Sequence, residues 1–252
     1  MEKYNFKKIA EYKGRLIQKF AVPRQAGLVN ELEGEIVFSE DYWDKAAFKG
    51  LEDISHIWLI YLFSENPDQE KFRPTVRPPR LKGDERMGVW ATRSPNRPNR
   101  IGLSSVKLKS INWEKNRGPV LKVLGADLVD GTPILDIKPY IPYADIHDDA
   151  RGGFAQEEPE KEKLKVFWNL DNSSEKSEKA YDDIDCSNGK ALELESISAS
   201  DRQTLEALLS LDPRPAYQND AERIYGFTFL PYEIKFRVEA KNLYIVSVKY
   251  AE

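Results

Sequence analysis

The hydrophobic pattern of the first half of the chain predicts short strands that are separated by turns rich in proline and glycine. Residues 54–63 form an almost unbroken apolar run of aromatic and β-branched residues, which is typical of a buried strand. Within residues 102–111, serine and lysine residues separate the apolar residues Leu103, Val106 and Leu108. Further strands are predicted at residues 34–38, 87–91 and 120–128, and a short helix at residues 43–51. The pattern indicates a mainly β fold, with a barrel or strongly curved sheet over residues 1–145.

The second half of the chain predicts a small α+β domain over residues 164–252. Residues 146–163 are acidic and marked by glycines, which is typical of a linker between domains. Residues 200–211 place leucines on one face of a helix, and Ser200 or Asp201 is expected to cap its N-terminus.

The end of the chain has the alternation expected of antiparallel strands. Apolar residues recur at every second position through most of residues 225–250, and Lys241-Asn242 stands where a hairpin turn is expected. Upstream, the acidic and serine-rich residues 171–185 are predicted to form an exposed loop or to be disordered.

Composition excludes several classes of protein. The single cysteine, Cys186, cannot form an internal disulfide, and with two histidines, His56 and His147, no metal site is expected. His56 lies inside the apolar run and is predicted to be a core histidine. The N-terminal residues lack the apolar core of a signal peptide, and no apolar run approaches the ~20 residues of a membrane helix. A cytoplasmic protein without a membrane or metal partner is therefore expected.

Charge is distributed unevenly along the chain. The net charge of −4 argues weakly against a nucleic-acid partner, yet residues 72–105 hold eight basic residues against Asp84 and Glu85. Five prolines in the same segment disfavour a helix and stiffen the loops. Stiff loops with arginines suit a carboxylate or phosphate ligand. A solvated basic surface, or internal neutralisation of the acidic remainder, would give the same composition.

Five sequence strings in the first 145 residues resemble the TrmO family of bacterial tRNA methyltransferases, also called TsaA or YaeB. The strings are AVPRQ at 21–25, RPTVRPPR at 73–80, ATRS at 91–94, RPN followed by IGLS within 97–104, and DLVDGTP with DIKPY within 127–140. The string DPRPAY at 212–217 resembles the small C-terminal domain of the bacterial members.

This resemblance implies a fold and a reaction. The family's catalytic domain is a β-barrel rather than a Rossmann fold, and the chain has no Gly-x-Gly-x-x-Gly turn after a strand. The resemblance implies a homodimer that uses S-adenosyl-L-methionine. The expected reaction is N6-methylation of N6-threonylcarbamoyladenosine at position 37 of a tRNA anticodon loop, with threonine tRNA as the expected substrate.

The resemblance also predicts the residues of the methyl-donor site. Arg93 is expected to pair with the methionine carboxylate of the donor, and Leu103 to pack against its adenine. Ser64 and Glu65 stand where other bacterial members carry a His-Gln pair. The predicted donor-binding set is Pro23, Arg24, Gln25, Ser64, Glu65, Arg93, Leu103, Ile134, Leu135, Asp136 and Ile137.

Catalytic and RNA-binding roles are predicted on the same basis. Asp136 is the candidate catalytic carboxylate, whereas Asp130 also fits a tight turn. Arg214 and Tyr217 are expected either to clamp RNA or to lock the helix end onto the final hairpin. The predicted substrate-binding set is Arg73, Arg77, Arg80, Arg97, Asn99 and Arg100. Two alternatives are a non-catalytic barrel that binds RNA or a nucleotide, and a methyltransferase for another RNA or a small molecule.

Overall fold

The computed structural model describes residues 2–67, 71–81, 85–156, 163–169, 192–214 and 220–251. Its strands and helices, in chain order, are β1 (Ala10–Lys13), β2 (Glu33–Phe38), β3 (His56–Leu62), β4 (Thr75–Val76), β5 (Met87–Gly88), β6 (Ile101–Glu114), β7 (Gly118–Leu124), β8 (Pro133–Pro139), α1 (Pro142–Asp145), β9 (Lys165–Trp168), α2 (Ala199–Ser210), β10 (Tyr225–Phe229), β11 (Tyr232–Glu239) and β12 (Asn242–Tyr250).

Six strands close into a barrel in the order β1-β2-β7-β6-β3-β8, with every pair antiparallel. The predicted mainly β fold is confirmed. Alternate side chains of each strand point inward, as the two-residue period requires. The barrel core consists mainly of aliphatic residues with two tyrosines, among them Tyr12, Ile36, Ile57, Leu59, Tyr61, Val106, Leu121, Val123 and Ile134.

A second core is built on a four-stranded sheet of order β10-β11-β12-β9, against which α2 packs. Its hairpin turns at Ala240-Lys241, one residue before the predicted position. Ser198, rather than Ser200 or Asp201, caps α2 by accepting a hydrogen bond from the backbone N–H of Asp201. Ser198 fits the rule that the cap precedes the first helical turn.

The long connection between β1 and β2 joins the two cores. Leu16, Val29 and Leu32 are buried among the residues of the second core. Arg15 forms a 2.7 Å ion pair with Asp201 and lies over the Phe229 ring at 4.3 Å. Because this connection also carries the predicted donor-binding turn at residues 23–25, the second core supports the barrel's loops.

Two local predictions are wrong, and a third holds in part. Residues 87–91 form only the two-residue strand β5 and a 3₁₀ turn at Val89–Ala91, in which Val89 is buried and Trp90 exposed. The short helix predicted at residues 43–51 forms in part, as 3₁₀ helices at Lys45–Phe48 and Leu51–Asp53. His56 is an exposed first residue of β3 that contacts the Ser55 hydroxyl, and it is not a core histidine.

Some predictions fall outside the described ranges. These are the acidic loop at 171–185, part of the linker, Cys186, Tyr217 and the side chain of Arg80. In the part of the chain that the structure describes, no helix has the length and apolar character to cross a bilayer. The same residues contain no group of three or more His, Cys, Asp or Glu side chains suited to a metal ion.

Candidate active site

Three connections meet at one end of the barrel, which we call the barrel mouth: residues 14–32, 63–100 and 125–132. The antiparallel topology brings them together, because β1, β3 and β7 end there and β2, β6 and β8 begin there. Backbone hydrogen bonds fix the loops, with Gly27 N donating to Gly125 O at 2.8 Å and Phe63 N to Arg100 O at 2.8 Å. The loops are therefore held in place without regular secondary structure.

Two residues of the predicted donor-binding set meet directly at the barrel mouth. Arg93 Nη1 donates to Gln25 Oε1 at 2.7 Å, and Gln25 Nε2 donates to the backbone oxygen of Arg24 at 2.7 Å. Pro23 is buried beneath this turn, whereas Arg24, Gln25 and Arg93 are exposed. The turn thus holds the Arg93 guanidinium at the surface with further N–H groups left to contact a ligand.

A cavity of about 200 Å³ lies at the barrel mouth, and neither Arg93 nor Gln25 lines it, although Val22 and Pro95, close to them in the chain, do. Ser64 and Glu65 line it, so these two predicted residues do reach the pocket. The Glu65 backbone oxygen accepts a hydrogen bond from Lys19 Nζ at 2.6 Å, which fixes the turn after β3. The other lining residues are Lys19, Val22, Tyr61, Leu62, Phe63, Asn66, Pro95, Asp127, Leu128, Val129 and Thr132.

A chain of hydrogen bonds at the cavity wall ends at a carboxylate that the sequence analysis did not assign. Ser104 Oγ donates to Asp127 Oδ1 at 2.6 Å, and the Tyr61 hydroxyl lies 3.3 Å from Ser104 Oγ. Burial raises the pKa of Asp127, while hydrogen bonds from Ser104 and the backbone and the charge of Arg93 act to lower it. Burial also raises the pKa of Tyr61, so this hydroxyl stays protonated.

Gly102 makes room for the Tyr61 ring in this network. A Cβ at Gly102 would lie 2.3 Å from two carbons of the Tyr61 ring. We expect Gly102→Ala to displace the tyrosine and to lower the free energy of unfolding by about 1–3 kcal/mol, as overpacking does. Urea denaturation measures this. Gly88→Ala is the matched control, because a Cβ there would meet nothing within 4 Å. Equal stability of the two variants would contradict the expected clash.

The remaining donor-set residues lie on β6 and β8, next to the mouth. Ile60 of β3 pairs with Leu103 on one side and with Asp136 on the other. Leu103 is 53% exposed, whereas Ile134 points into the barrel core. Leu135 and Ile137 are half-buried. Leu103 and Asp136 therefore flank the same residue on the outer face of the barrel.

Neither of the carboxylates considered from the sequence lines the cavity. Asp136 forms a 3.2 Å ion pair with Lys138 and accepts a hydrogen bond from the backbone N–H of Ile137. Asp130 accepts a hydrogen bond from Gly14 N at 3.0 Å, so it stabilises the turn between β7 and β8. A sequence signal that could have pointed to Asp127 is its place as the first residue of the string at 127–133 that resembles the family.

The predicted substrate-binding residues surround the mouth. Arg97 Nη1 donates to the backbone oxygens of Thr92 and Ser94, at 2.9 and 3.3 Å, and Arg100 donates to the backbone oxygen of Asn66. These two side chains brace the loops. Exposed members of the set that are described are Arg73, Arg77 and Asn99.

Arg214 is buried in the second domain and does not present an exposed cation. Its side chain is 8% exposed, and Nε donates to Asp212 Oδ1 at 2.8 Å just after α2. The neighbouring carboxylate raises the pKa of Arg214 above its ordinary value. This contact favours the structural alternative for Arg214 over the RNA clamp.

Fold and site together define a class of protein. A closed barrel carries an arginine-rich mouth and a pocket with a half-buried carboxylate, and none of the described residues forms a Rossmann-type phosphate turn. Such a mouth suits a ligand that has both an anionic group and a proton to release.

The comparisons with known proteins identify the family. Residues 12–146 match the model of the tRNA-methyltransferase O N-terminal domain, and residues 187–251 match the TrmO C-terminal domain. The chain is 38% identical to tRNA (adenine(37)-N6)-methyltransferase of Escherichia coli K12, over 94% of each chain. The crystal structure of TrmO from P. aeruginosa aligns with a TM-score of 0.72 at 28% identity, covering 100% of this chain and 99% of that chain. The chain belongs to the tRNA-methyltransferase O family.

The predicted family is therefore confirmed, and with it the class of enzyme. The name of a Pseudomonas aeruginosa relative, 40% identical over 83% of this chain and 82% of its own length, is putative S-adenosylmethionine-dependent methyltransferase. The expected methyl donor agrees with this name.

Proposed function

We propose that this chain transfers a methyl group from S-adenosyl-L-methionine to N6 of N6-threonylcarbamoyladenosine at position 37 of threonine tRNA. The observation that carries the proposal is the juxtaposition, at one barrel mouth, of an exposed Arg93–Gln25 pair with the half-buried Asp127. Relatives from Escherichia coli K12 and Eikenella corrodens bear the name tRNA (adenine(37)-N6)-methyltransferase, which supports adenosine 37 as the target.

The residues at the mouth fit the chemistry of the donor. When bound, S-adenosyl-L-methionine supplies an electrophilic methyl group on a positively charged sulfur. Arg93 would hold its methionine carboxylate, because a guanidinium binds a carboxylate with two parallel hydrogen bonds. Ligand pockets usually have about 300–1,000 Å³. The cavity of about 200 Å³ would therefore hold only part of the donor, and the exposed Leu103 would pack against its adenine.

The same mouth offers an acceptor for the proton that N6 must lose. Methyl transfer forms the N6–C bond and breaks the C–S bond, whose electron pair stays on sulfur, while the N6 proton leaves. We assign the proton to Asp127 rather than to Asp136. Asp127 lines the cavity, whereas Asp136 is paired with Lys138 on the outer face. Ser104 orients the Asp127 carboxylate through the 2.6 Å hydrogen bond.

The exposed outer face supports the homodimer that the family resemblance implies. Leu103 is 53% exposed beside the half-buried Ile60, and a donor adenine on this face would remain in water. A second copy that covers the face would exclude that water. Sedimentation equilibrium of the wild type and of Leu103→Asp tests this. A wild-type monomer at micromolar concentration would reject the homodimer.

Methyl transfer from labelled donor to purified threonine tRNA tests the proposed reaction. The tRNA is supplied with and without its threonylcarbamoyl group. We expect label only in the modified tRNA, because the threonyl carboxylate adds an anion for the arginines of the mouth. Label in both forms would remove the threonylcarbamoyl requirement, and label in neither, despite donor binding, would reject the proposed substrate.

Loss of the Arg93 guanidinium should weaken donor binding. We expect Arg93→Ala to raise the Kd for S-adenosyl-L-methionine by about 10- to 100-fold, because a charge-assisted hydrogen bond contributes about 1.5–3 kcal/mol. Isothermal titration calorimetry measures this without turnover. Arg117→Ala is the matched control, since its guanidinium pairs with Glu35 and Glu114 near the far end of β6. An unchanged Kd for Arg93→Ala would mean that another residue binds the methionine carboxylate of the donor.

A further inference from the structure

Two large aromatic side chains stack on each other at the barrel mouth while both remain exposed. Phe72 is 54% and Trp90 67% exposed, and their ring centroids lie 5.7 Å apart at an interplanar angle of 21°. Such rings usually have a hydrophobic core as their partner. Here nothing in the described part of the chain buries them, so the two stacked rings form an aromatic surface that is exposed to solvent.

The segments that carry the two rings are held firmly. Val89 is fully buried, and its N–H donates to Pro74 O at 2.9 Å, which ties the Trp90 turn to the segment after Phe72. The two-residue ladder between β4 and β5 adds a second tie. The stacked geometry is therefore built into the loops, and little conformational entropy is lost when a ligand binds to it.

Arginine side chains lie close to the pair. Arg97 Cζ lies 5.7 Å from the centroid of the Trp90 ring, while Arg73 adjoins Phe72 in sequence and is exposed. Arg86 donates to the Thr75 hydroxyl at 3.1 Å on the adjacent strand pair. Positive charge beside exposed aromatic rings matches a phosphate backbone with unpaired bases, because phosphates pair with arginine and bases stack on rings.

We propose that Phe72 and Trp90 form a stacking platform for an unpaired nucleobase of the RNA substrate, next to the base that enters the pocket. The proposal rests on the proposed function for the identity of the RNA, and assigns to this pair a base-stacking role. A duplex keeps its bases stacked on one another, so the platform selects a loop over a helix. Arg73 and Arg97 then hold the backbone on either side.

Binding of a fluorescently labelled anticodon stem–loop RNA with a seven-nucleotide loop, without methyl donor, tests the platform. We expect Trp90→Ala to weaken binding about 10- to 100-fold, the usual effect of losing one stacked base. Trp90→Phe should restore most of the affinity, since it keeps a ring. Tyr143→Ala is the matched control, because Tyr143 is a 91% exposed aromatic residue on α1. A blunt RNA duplex of equal length should bind the wild type and Trp90→Ala equally.

Salt dependence separates stacking from charge. Trp90→Ala should leave the slope of log Kd against log salt unchanged, whereas Arg73→Ala should reduce it by about one phosphate contact. Equal losses on loop and duplex RNA, or no loss on the loop, would overturn the platform. A weaker self-association of Trp90→Ala with unchanged RNA affinity would instead assign the pair to a subunit interface. Because this assay needs no methyl transfer, failure of the proposed reaction would not be mistaken for failure of the platform.

Discussion

Asp127→Asn is expected to reduce the turnover number for methyl transfer by about 10²- to 10⁴-fold, the usual contribution of a positioned general base. Asparagine keeps an oxygen that accepts the hydrogen bond from Ser104 but cannot take a proton. Single-turnover methyl transfer with saturating donor and RNA measures the chemical step, and calorimetry of donor binding should show little change.

The raised pKa of Asp127 also predicts the stability of the Asp127→Asn variant. Burial raises the pKa of Asp127 in the folded state, so ionisation above the ordinary aspartate pKa of about 4 opposes folding. Stability from this group is therefore greatest at low pH and is lost as the pH rises through the raised pKa. Asp127→Asn should melt no lower than the wild type at pH 7. A large drop in melting temperature would indicate a structural role.

Variants of two further carboxylates test the assignment of the N6 proton to Asp127. Asp53→Asn is the control that should leave turnover unchanged, because Asp53 is exposed just before β3, at the end opposite the barrel mouth. If Asp136→Asn abolished turnover while Asp127→Asn did not, the assignment of the proton to Asp127 would be wrong.

The pH profile gives an independent test. Turnover should fall on the acid side with a pKa above the ordinary aspartate value, because only the ionised Asp127 accepts a proton. Arg93 lowers the pKa of Asp127 by its charge, so Arg93→Ala should move this limb to higher pH. Asp127→Asn should remove the fall in turnover on the acid side of the pH profile. If that fall stays at the same pH in both variants, another group causes it.

Strand positions could be predicted from the sequence where alternation reflects burial on one face. Residues 225–250 alternate because β10, β11 and β12 each bury one face against α2 and its neighbours, and these strands form as predicted. The strand predicted at residues 87–91 was wrong because the apolar residues of this segment have two different roles. Val89 anchors the loop, and Trp90 joins the exposed aromatic pair. Periodicity alone does not distinguish such a loop from a strand.

The candidate site was only partly predictable. The arginine-rich loops were evident from composition, and the donor-binding set came from the family resemblance. Asp127 was missed because its contact with Ser104 spans 23 residues and depends on how β6 lies beside the turn after β7. His56 was misjudged for a related reason, since the pattern does not show that β3 begins at the barrel's edge.

Phe236→Ala is expected to lower the free energy of unfolding by about 3–5 kcal/mol, the usual cost of removing a buried phenylalanine. Phe236 is fully buried and contacts three other rings: Phe20, Tyr225 and Phe227, with centroid distances of 6.3, 5.5 and 6.2 Å. Urea denaturation measures the loss. Phe167→Ala is the matched control, because Phe167 lies on the same sheet but is 44% exposed. A similar loss in both variants would contradict the packing argument.

The same substitution should also weaken donor binding, at a distance from the pocket. Phe20 packs on Phe236 only three residues before the turn that begins at Pro23, so a cavity at Phe236 loosens the segment that positions Gln25 and, through it, Arg93. We expect a several-fold higher Kd for S-adenosyl-L-methionine at a temperature where Phe236→Ala remains folded, and no change in Phe167→Ala. An unchanged Kd in Phe236→Ala would mean that the barrel holds this turn without the second core.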